Sequence, residues 1–301
     1  MCHADARRQT RPWWLLLALV ALAGAAAAQP PLPQPRGEGL LFELTPPRGG
    51  APGWLFATIH SEDPRVLQLP PPVEAALSAA DALVLEVVPD ADSVRAAAGA
   101  MRLPENTELR DLLAPELYRA CVEALAARGM PEGVPRKLKP WAVMTLLSMP
   151  PARTGEFLDR RLYQRAQADA KPTLGLETSQ EQLAVFEALT IEEERALLRA
   201  ALAAQDERKR VLEALIDAYL RGALGELLAL SDDRTPGIAP ALQQRLRELL
   251  IRSRNARMLE RIQTLPADRR HFIAVGALHL PGAGGLLAGL EAAGYGVRPL
   301  Y

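Results

Sequence analysis

The sequence has few cysteines and histidines, and it has no large net charge of either sign. Among its 301 residues there are two cysteines and four histidines. Its 35 basic and 36 acidic side chains nearly balance, so no excess of positive charge attracts phosphate, and nucleic acid is excluded as an expected partner. Because 49% of the residues are hydrophobic and 24% are charged, the composition predicts a globular protein with a substantial core.

Residues 1–28 have the pattern of a signal peptide. Arg7, Arg8 and Arg11 precede an apolar run, and small residues ending at Ala28 supply an A-x-A cleavage site. The apolar stretch is shorter than the roughly 20 residues that a membrane-spanning helix needs, which favours cleavage over a retained anchor. We therefore expect export across the inner membrane to the periplasm, with membrane contact only if the segment stays attached. Cleavage would leave Cys121 as the sole cysteine, which excludes an intramolecular disulfide.

The remaining chain is interpreted as a proline-rich tail, 29–38, and a single domain, 39–301. Near the start of the domain, Leu40–Leu44 and Trp54–Ile59 are apolar runs joined by a segment rich in proline and glycine, which predicts a hairpin. A further strand is expected over Ala82–Val88, since this run is almost continuously apolar.

Residues 91–265 have mainly helical periodicity, with one short strand expected over Pro172–Leu176. From 266 to 301 the pattern returns to a strand at His271–Val275, a helix at Gly285–Ala293 and a final strand at Val297–Tyr301. The predicted fold class is therefore α/β (α+β). Its mixed central sheet is built from two βαβ-like halves, 39–90 and 266–301, with a large helical insertion between them.

The two halves resemble each other, and each places a histidine after a strand. Trp54–His60 parallels Phe272–His279, and each segment leads through a loop and a helix to another strand. In parallel sheets ligands collect beyond the carboxyl ends of the strands, so His60 and His279 are candidate metal ligands, with Glu86 as a nearby carboxylate. The alternative is that each histidine only caps an element or lies on the surface.

Other polar residues are more ambiguous. Glu177 is expected at a strand end and near a helix N-terminus, where it could orient a ligand, act as a general base or complement the helix dipole. By composition, Arg254 and Asn255 belong to the solvated face of a helix. Cys121 is expected to be a small core residue, and His271 to be structural.

Several short fragments occur in a specific order and spacing. They are Trp54–His60 followed by Asp63-Pro64 and Leu69-Pro70, the strand with Glu86, Lys139-Pro140-Trp141, Leu158-Asp159, Gly175–Thr178 with Glu181-Gln182, Arg254-Asn255, and Val275–Gly282. Together they resemble the TraB/GumN family, which is related in fold to the Tiki ectodomains and more distantly to erythromycin-esterase-like proteins. The resemblance spans roughly 40–301.

The resemblance implies two GxxH motifs and an acidic residue around a divalent metal, in an α/β fold with metallopeptidase-like activity. Residue by residue, it makes His60, Glu86 and His279 the expected ligands of Mn, Co, Fe or Zn. Gly276–His279 matches the second motif, whereas Ala57 stands where the first motif has glycine. That methyl group is harmless at negative φ, but it alters the site if the position needs positive φ or the close approach of a ligand.

The same resemblance makes Glu177, Arg254 and Asn255 expected catalytic residues. The first hypothesis is a secreted metal-dependent hydrolase of a peptide or protein, in which Glu177 moves a proton. The alternative is a non-catalytic envelope protein that binds a peptide or glycan in the same cleft. A purely structural helical module does not explain the paired histidines. The helical middle leaves a homodimer or a lid open.

Overall fold

The computed structural model describes residues 38–47, 49–151, 153–232 and 237–301. The expected signal peptide, 1–28, and residues 29–37 of the expected tail lie outside this part of the chain. Among the residues that it describes, no helix is long and apolar enough to cross a membrane.

Six strands form one mixed sheet. They are β1 (Leu41–Thr45), β2 (Gly53–Thr58), β3 (Ala82–Leu85), β4 (Thr173–Gly175), β5 (His271–Gly276) and β6 (Gly296–Pro299), and their order in the sheet is β4-β3-β5-β2-β1-β6. The pairs β2–β5, β5–β3 and β3–β4 are parallel, whereas β1 is antiparallel to both β2 and β6. The predicted β1–β2 hairpin and the predicted α/β class are confirmed.

The two halves interleave instead of standing side by side. In a βαβ unit the two strands are normally parallel neighbours, so the predicted βαβ-like half 39–90 would pair β2 with β3, but β5 lies between them. The register also shifts the two histidine motifs, because Ala57 pairs with Val275 and Thr58 pairs with Gly276. His60 and His279 therefore follow adjacent strands, but the first residues of their motifs are one position out of step.

Helices fill most of the chain between β3 and β5 and flank the sheet. They are α1 (Pro64–Leu67), α2 (Pro71–Ala79), α3 (Ala91–Ala100), α4 (Leu109–Leu112), α5 (Pro115–Ala126), α6 (Pro140–Ser148), α7 (Leu158–Ala168), α8 (Ser179–Glu187), α9 (Ile191–Ala203), α10 (Arg208–Leu220), α11 (Leu224–Asp232), α12 (Pro240–Arg247), α13 (Ser253–Gln263) and α14 (Leu286–Ala292). A π-helical turn, Glu248–Arg252, joins α12 to α13. The predicted helical character of 91–265 is confirmed, as is its single short strand.

The core consists of two hydrophobic clusters. The sheet cluster contains the strand side chains, including Phe56 and Phe272, together with the apolar faces of α7, α10, α11 and α13. The helical cluster is built by α3–α6, α8, α9 and α12 around Trp141 and includes Cys121, whose pKa is raised to about 12 by burial. Segment 91–265 is thus not a separate domain, because four of the eleven helices described in it pack on the sheet and complete its core.

Candidate functional site

A small cavity of about 80 Å³ lies at the carboxyl ends of β2, β3 and β5. We call it the charged cavity. Its polar lining residues are Thr58, His60, Glu86, Asp159, Gln182, Arg254 and His279. Parallel strands leave their carboxyl ends at one edge of the sheet, and this is why residues from distant parts of the sequence meet here. The structure thus brings both predicted motif histidines and Glu86 to one cavity.

Glu86 is held as a buried carboxylate by donors from three elements. Its Oε1 accepts from the backbone N–H of Gly276 at 2.6 Å, and its Oε2 accepts from Arg254 Nη2 at 2.5 Å and from Gln182 Nε2 at 3.3 Å. Burial favours the neutral acid, but the charges of Arg254 and His279 and these hydrogen bonds outweigh it and lower the pKa of Glu86 to about 2. Glu86 is therefore ionised at neutral pH.

Gly276 explains the glycine of the second motif. Its φ is −55°, so the left-handed region is not what requires glycine here. A Cβ at this position would lie 3.1 Å from Glu86 Oε1 and 3.6 Å from Cδ2 of His279. The missing side chain therefore lets the Glu86 carboxylate approach the backbone N–H.

Ala57 does not disturb the first motif in this way. It lies within β2, is fully buried, and has none of the positive φ values that would strain an alanine. Its carbonyl oxygen accepts a hydrogen bond of 2.8 Å from the Tyr219 hydroxyl. The backbone condition under which we expected the methyl group to be harmless is met.

His279 is oriented by Asn255. The Asn255 Nδ2 group donates to the carbonyl oxygens of His279 at 3.2 Å and Gly284 at 2.8 Å, which leaves Asn255 Oδ1 to accept from His279 Nδ1 at 2.6 Å. Nε2 is then the unprotonated nitrogen, 3.3 Å from Arg254 Nη1 and 3.7 Å from Glu86 Oε1. Burial, helped by the Arg254 charge and opposed by Glu86, lowers the pKa of His279 to about 4, so the ring is neutral at pH 7.

His60 follows β2 and has its ring centre 4.2 Å from that of Phe157. Its buried Nδ1 has no hydrogen-bond partner among the residues described. Burial lowers the pKa of His60 to about 4, although the charges of Glu62 and Glu86 oppose the shift. His60 therefore brings a second neutral imidazole, with an unsatisfied nitrogen, to the charged cavity. His271 begins β5, at the end of that strand opposite the charged cavity.

Arg254 lies at the centre of the site, and the prediction that Arg254 and Asn255 belong to a solvated face is wrong, because both are buried. The Arg254 side chain is 3% exposed and forms ion pairs with Glu86 at 2.5 Å and with Glu177 at 2.6 Å. Burial alone would lower the pKa of Arg254, but the two carboxylates raise it. Arg254 follows the π-helical turn closely, and such turns change which face of a helix points inward. Composition gave no sign that Arg254 faces inward, because its charged side chain shares that buried face with the polar Asn255.

Glu177 lies behind Arg254, as seen from the cavity that Arg254 lines. Its carboxylate has no exposed surface and accepts from Arg254 Nε at 2.8 Å and Arg257 Nη1 at 2.7 Å. The neighbouring Thr178 caps α8 through the Glu181 N–H. Among the described residues, the side-chain partners of Glu177 are thus two guanidinium groups, which indicates that Glu177 positions Arg254.

Asp159 and its partner Thr58 also line the cavity, although their sequence context did not predict them as site residues. The Thr58 hydroxyl donates to Asp159 Oδ1 at 3.3 Å. Burial, with a contribution from the Glu86 charge, raises the pKa of Asp159 to about 7. The sequence does hold a signal, because Asp159 has the i, i+3, i+7 spacing to Leu162 and Ala166 and so shares the apolar face of α7.

The donor types suit a divalent cation. Two neutral imidazoles and an ionised carboxylate are common ligands of the metals that the resemblance implies, and Asn255 fixes the tautomer that presents Nε2 of His279. Of the two imidazoles, that of His60 has a buried nitrogen, Nδ1, without a hydrogen-bond partner among the described residues. Within the described part of the chain, however, no three His, Cys, Asp or Glu side chains are already grouped closely enough to hold a metal ion. The residues fit the group chemically, and His60 must still approach the other two.

These features define a mixed α/β protein with a buried charged cavity where parallel strands end. The sequence model of the TraB/PrgY/gumN family matches residues 41–299, and the chain belongs to this family. The match extends from the first strand to the last, so it includes every residue of the charged cavity. No curated protein and no solved structure matches the chain.

Proposed function

We propose that this protein is a metal-dependent hydrolase of amide bonds, with a peptide or protein as its substrate. The observation that carries the proposal is the convergence of two neutral histidines and an ionised glutamate on one small cavity. Neutral imidazole and carboxylate are the ligand types of hydrolytic metal centres. The expected signal peptide supports an exported, periplasmic enzyme.

In this proposal His60, Glu86 and His279 would hold Mn, Co, Fe or Zn. A divalent ion bound there would lower the pKa of a water molecule and polarise the substrate carbonyl. Asn255 fixes the tautomer in which Nε2 of His279 is unprotonated, beside Arg254 and Glu86, and the Gly276 N–H holds the Glu86 carboxylate.

Two other cavity residues would stabilise negative charge and transfer a proton. Arg254 supplies a buried positive charge that can stabilise an oxyanion, and Glu177 holds its guanidinium. Asp159 has the pKa of about 7 that suits a group that exchanges a proton near neutral pH, and it is not consumed by an ion pair in the described residues. We therefore assign the proton transfer first considered for Glu177 to Asp159.

Metal content and hydrolysis test this proposal together. The protein is purified without chelators or a metal-affinity tag and analysed by elemental mass spectrometry, beside His60→Ala, His279→Ala and His271→Ala. We expect near one equivalent of metal in the unaltered protein and in His271→Ala, and none in the other two, with peptide cleavage lost in parallel. Cleavage that persists when His60 and His279 are both replaced would contradict the assignment.

A second candidate, a non-catalytic binding protein, is favoured by one observation. Both Glu86 oxygens are already hydrogen-bonded, and Arg254 places a positive charge where the three ligands would meet. Such a protein would bind a peptide or glycan in the same cleft. For such a protein we expect the ligand to raise the thermal unfolding temperature even after a chelator is added, because binding would not require the ion. Stabilisation lost on chelation would favour the hydrolase.

A further inference from the structure

Two cavities meet at His60. Besides the charged cavity, a larger groove of about 580 Å³ has His60 in its wall. We call it the His60 groove. Its apolar wall includes Phe157, Leu212 and Ile216, and its polar wall includes Arg208 at the start of α10. A molecule lying in this groove would therefore touch the ring that also borders the charged cavity.

The acids of the His60 groove are already compensated. The Glu62 carboxylate accepts from the backbone N–H groups of residues 153, 154 and 155 at 2.8–2.9 Å, and these bonds lower its pKa despite partial burial. Asp63 pairs with Arg65 at 2.8 Å. Glu213 is 61% exposed and lies 4.0 Å from Lys209. None of these three carboxylates is therefore both buried and unpaired, so they give little reason to expect a basic ligand.

Arg208 is different, because it has no carboxylate partner within ion-pair distance among the described residues. It is half-buried, and within the described part of the chain its Nη2 donates to the carbonyl oxygen of Ala201, at 2.9 Å. Burial, with the nearby charge of Arg128, lowers the pKa of Arg208 to about 10, so it still carries its charge at neutral pH. Arg128 is itself bonded to three carbonyls at the end of α6 and does not offset this charge. A partly buried cation without a counter-ion is best satisfied by an incoming anion.

We propose that the His60 groove binds the substrate of the proposed hydrolase and that Arg208 selects peptides bearing a carboxylate. An apolar residue of the peptide would pack on Phe157 and Leu212, while the carboxylate pairs with the Arg208 guanidinium. The carboxylate can belong to an acidic side chain or to the peptide C-terminus, which the test separates. This inference rests on the proposed function, because only a hydrolase would make the bound peptide a substrate. The binding that it predicts is nevertheless measurable without turnover.

The test uses fluorescent peptides in matched pairs. One pair differs only in an internal Glu or Gln, and the other only in a free or amidated C-terminus, with the same apolar residues throughout. Binding is measured by fluorescence anisotropy in the unaltered protein, Arg208→Gln, Arg208→Lys and the control Arg210→Gln. Arg210 is exposed, pairs with Glu207 and lies outside the groove lining.

We expect at least one acidic peptide to bind ten times more tightly than its neutral partner, with an advantage that shrinks as salt rises. Arg208→Gln should abolish the preference, Arg208→Lys should retain part of it, and Arg210→Gln should leave it unchanged. Thermal unfolding of each variant checks that the fold is kept. Equal affinity within both pairs, or a preference that survives Arg208→Gln, would overturn the proposal.

Hydrolysis of the same peptides separates the two proposals. Binding with an Arg208-dependent preference but no cleavage would contradict the proposed hydrolase activity and support peptide binding in the His60 groove. Cleavage with no preference for a carboxylate would contradict selection by Arg208 and support the hydrolase activity.

Discussion

At the residue scale, the two histidine motifs differ at their first position, and the structure explains why only one needs glycine. Gly276 is close to Glu86, whereas Ala57 lies within an ordinary strand. We expect Gly276→Ala to push the Glu86 carboxylate away from its backbone donor and, under the proposed function, to lower metal affinity and hydrolysis at least tenfold. Isothermal titration with Mn²⁺ and peptide cleavage assays measure both effects.

Ala57→Gly is the matched control for this prediction. It should give no gain in metal affinity or activity, and should cost roughly 0.5–1 kcal/mol of stability because glycine loses more conformational freedom in a strand. A clear gain of activity in Ala57→Gly would mean that the departure from the family motif does impair the site.

Asp159 should make stability depend on pH. Its folded pKa of about 7 lies above the ordinary value of 3.8, so between these values the folded state holds a proton that the unfolded state has released. The contribution of Asp159 to the free energy of unfolding therefore falls as pH rises from about 4 to 7, by up to about 1.4 kcal/mol per pH unit. Asp159→Asn removes this fall. Urea unfolding at pH 5, 6, 7 and 8 should show the variant gaining relative to the unaltered protein, and parallel pH curves would contradict the shift.

At the scale of elements, α13 joins the ends of β3 and β4 through one arginine stripe. Arg254 and Arg257 pair with Glu177, and Arg261 pairs with Glu181 and donates to the carbonyl of Leu176. These arginines have the i, i+3, i+7 spacing of one helical face. This face of α13 therefore pairs with the carboxylates of Glu177 and Glu181, which follow β4.

Arg254→Met should destabilise the protein by about 3–5 kcal/mol, because it leaves Glu86 and Glu177 buried without their shared cation. The free energy of unfolding in urea measures the loss. Adding Glu86→Gln and Glu177→Gln to Arg254→Met should recover most of it, since neutral amides remove the uncompensated charges. A triple variant as unstable as the single one would show that packing, and not charge, is what Arg254 provides.

The sequence predicted the elements better than their arrangement. Local patterns identify a strand such as β5, whose apolar run is buried on both faces. They do not show that β5 inserts between β2 and β3, because strand order depends on contacts between distant residues. Similarly, His60, Glu86 and His279 were found by their positions at strand ends. Arg254 needed the family resemblance, since a charged side chain on a helix is normally solvated, and Asp159 was overlooked as a site residue because a single acid beside an apolar face is a weak signal.

At the scale of the whole molecule, the charged cavity lies where the sheet cluster and the helical cluster meet. Gln182 belongs to α8, whose apolar residues are in the helical cluster, and it donates to Glu86 at the end of β3. Leu250, which packs on the helical cluster, also lines the cavity. Movement of one cluster against the other would therefore change the cavity.

Trp141→Ala tests whether the clusters open separately. Trp141 is 1% exposed and stacks on Phe186 with ring centres 5.0 Å apart, so the loss should be about 3–5 kcal/mol. Hydrogen exchange followed by mass spectrometry should show reduced protection in α5, α6, α8 and α9, with little change in β2 and β5. Phe56→Ala is the matched variant in the sheet cluster, and it should reduce protection in the strands instead. Equal loss of protection throughout the chain in both variants would show that the molecule opens as one unit.

The site is assembled from residues that lie far apart in the sequence, from Thr58 in β2 to His279 after β5. During vectorial synthesis on the ribosome, a nascent chain that still lacks β5 has neither the second histidine nor the backbone N–H that holds Glu86. Closing contacts over such separations is a slow step of folding. The charged cavity therefore forms only after β5 has been made and has joined the sheet, and a fragment that ends before β5 lacks the proposed metal site.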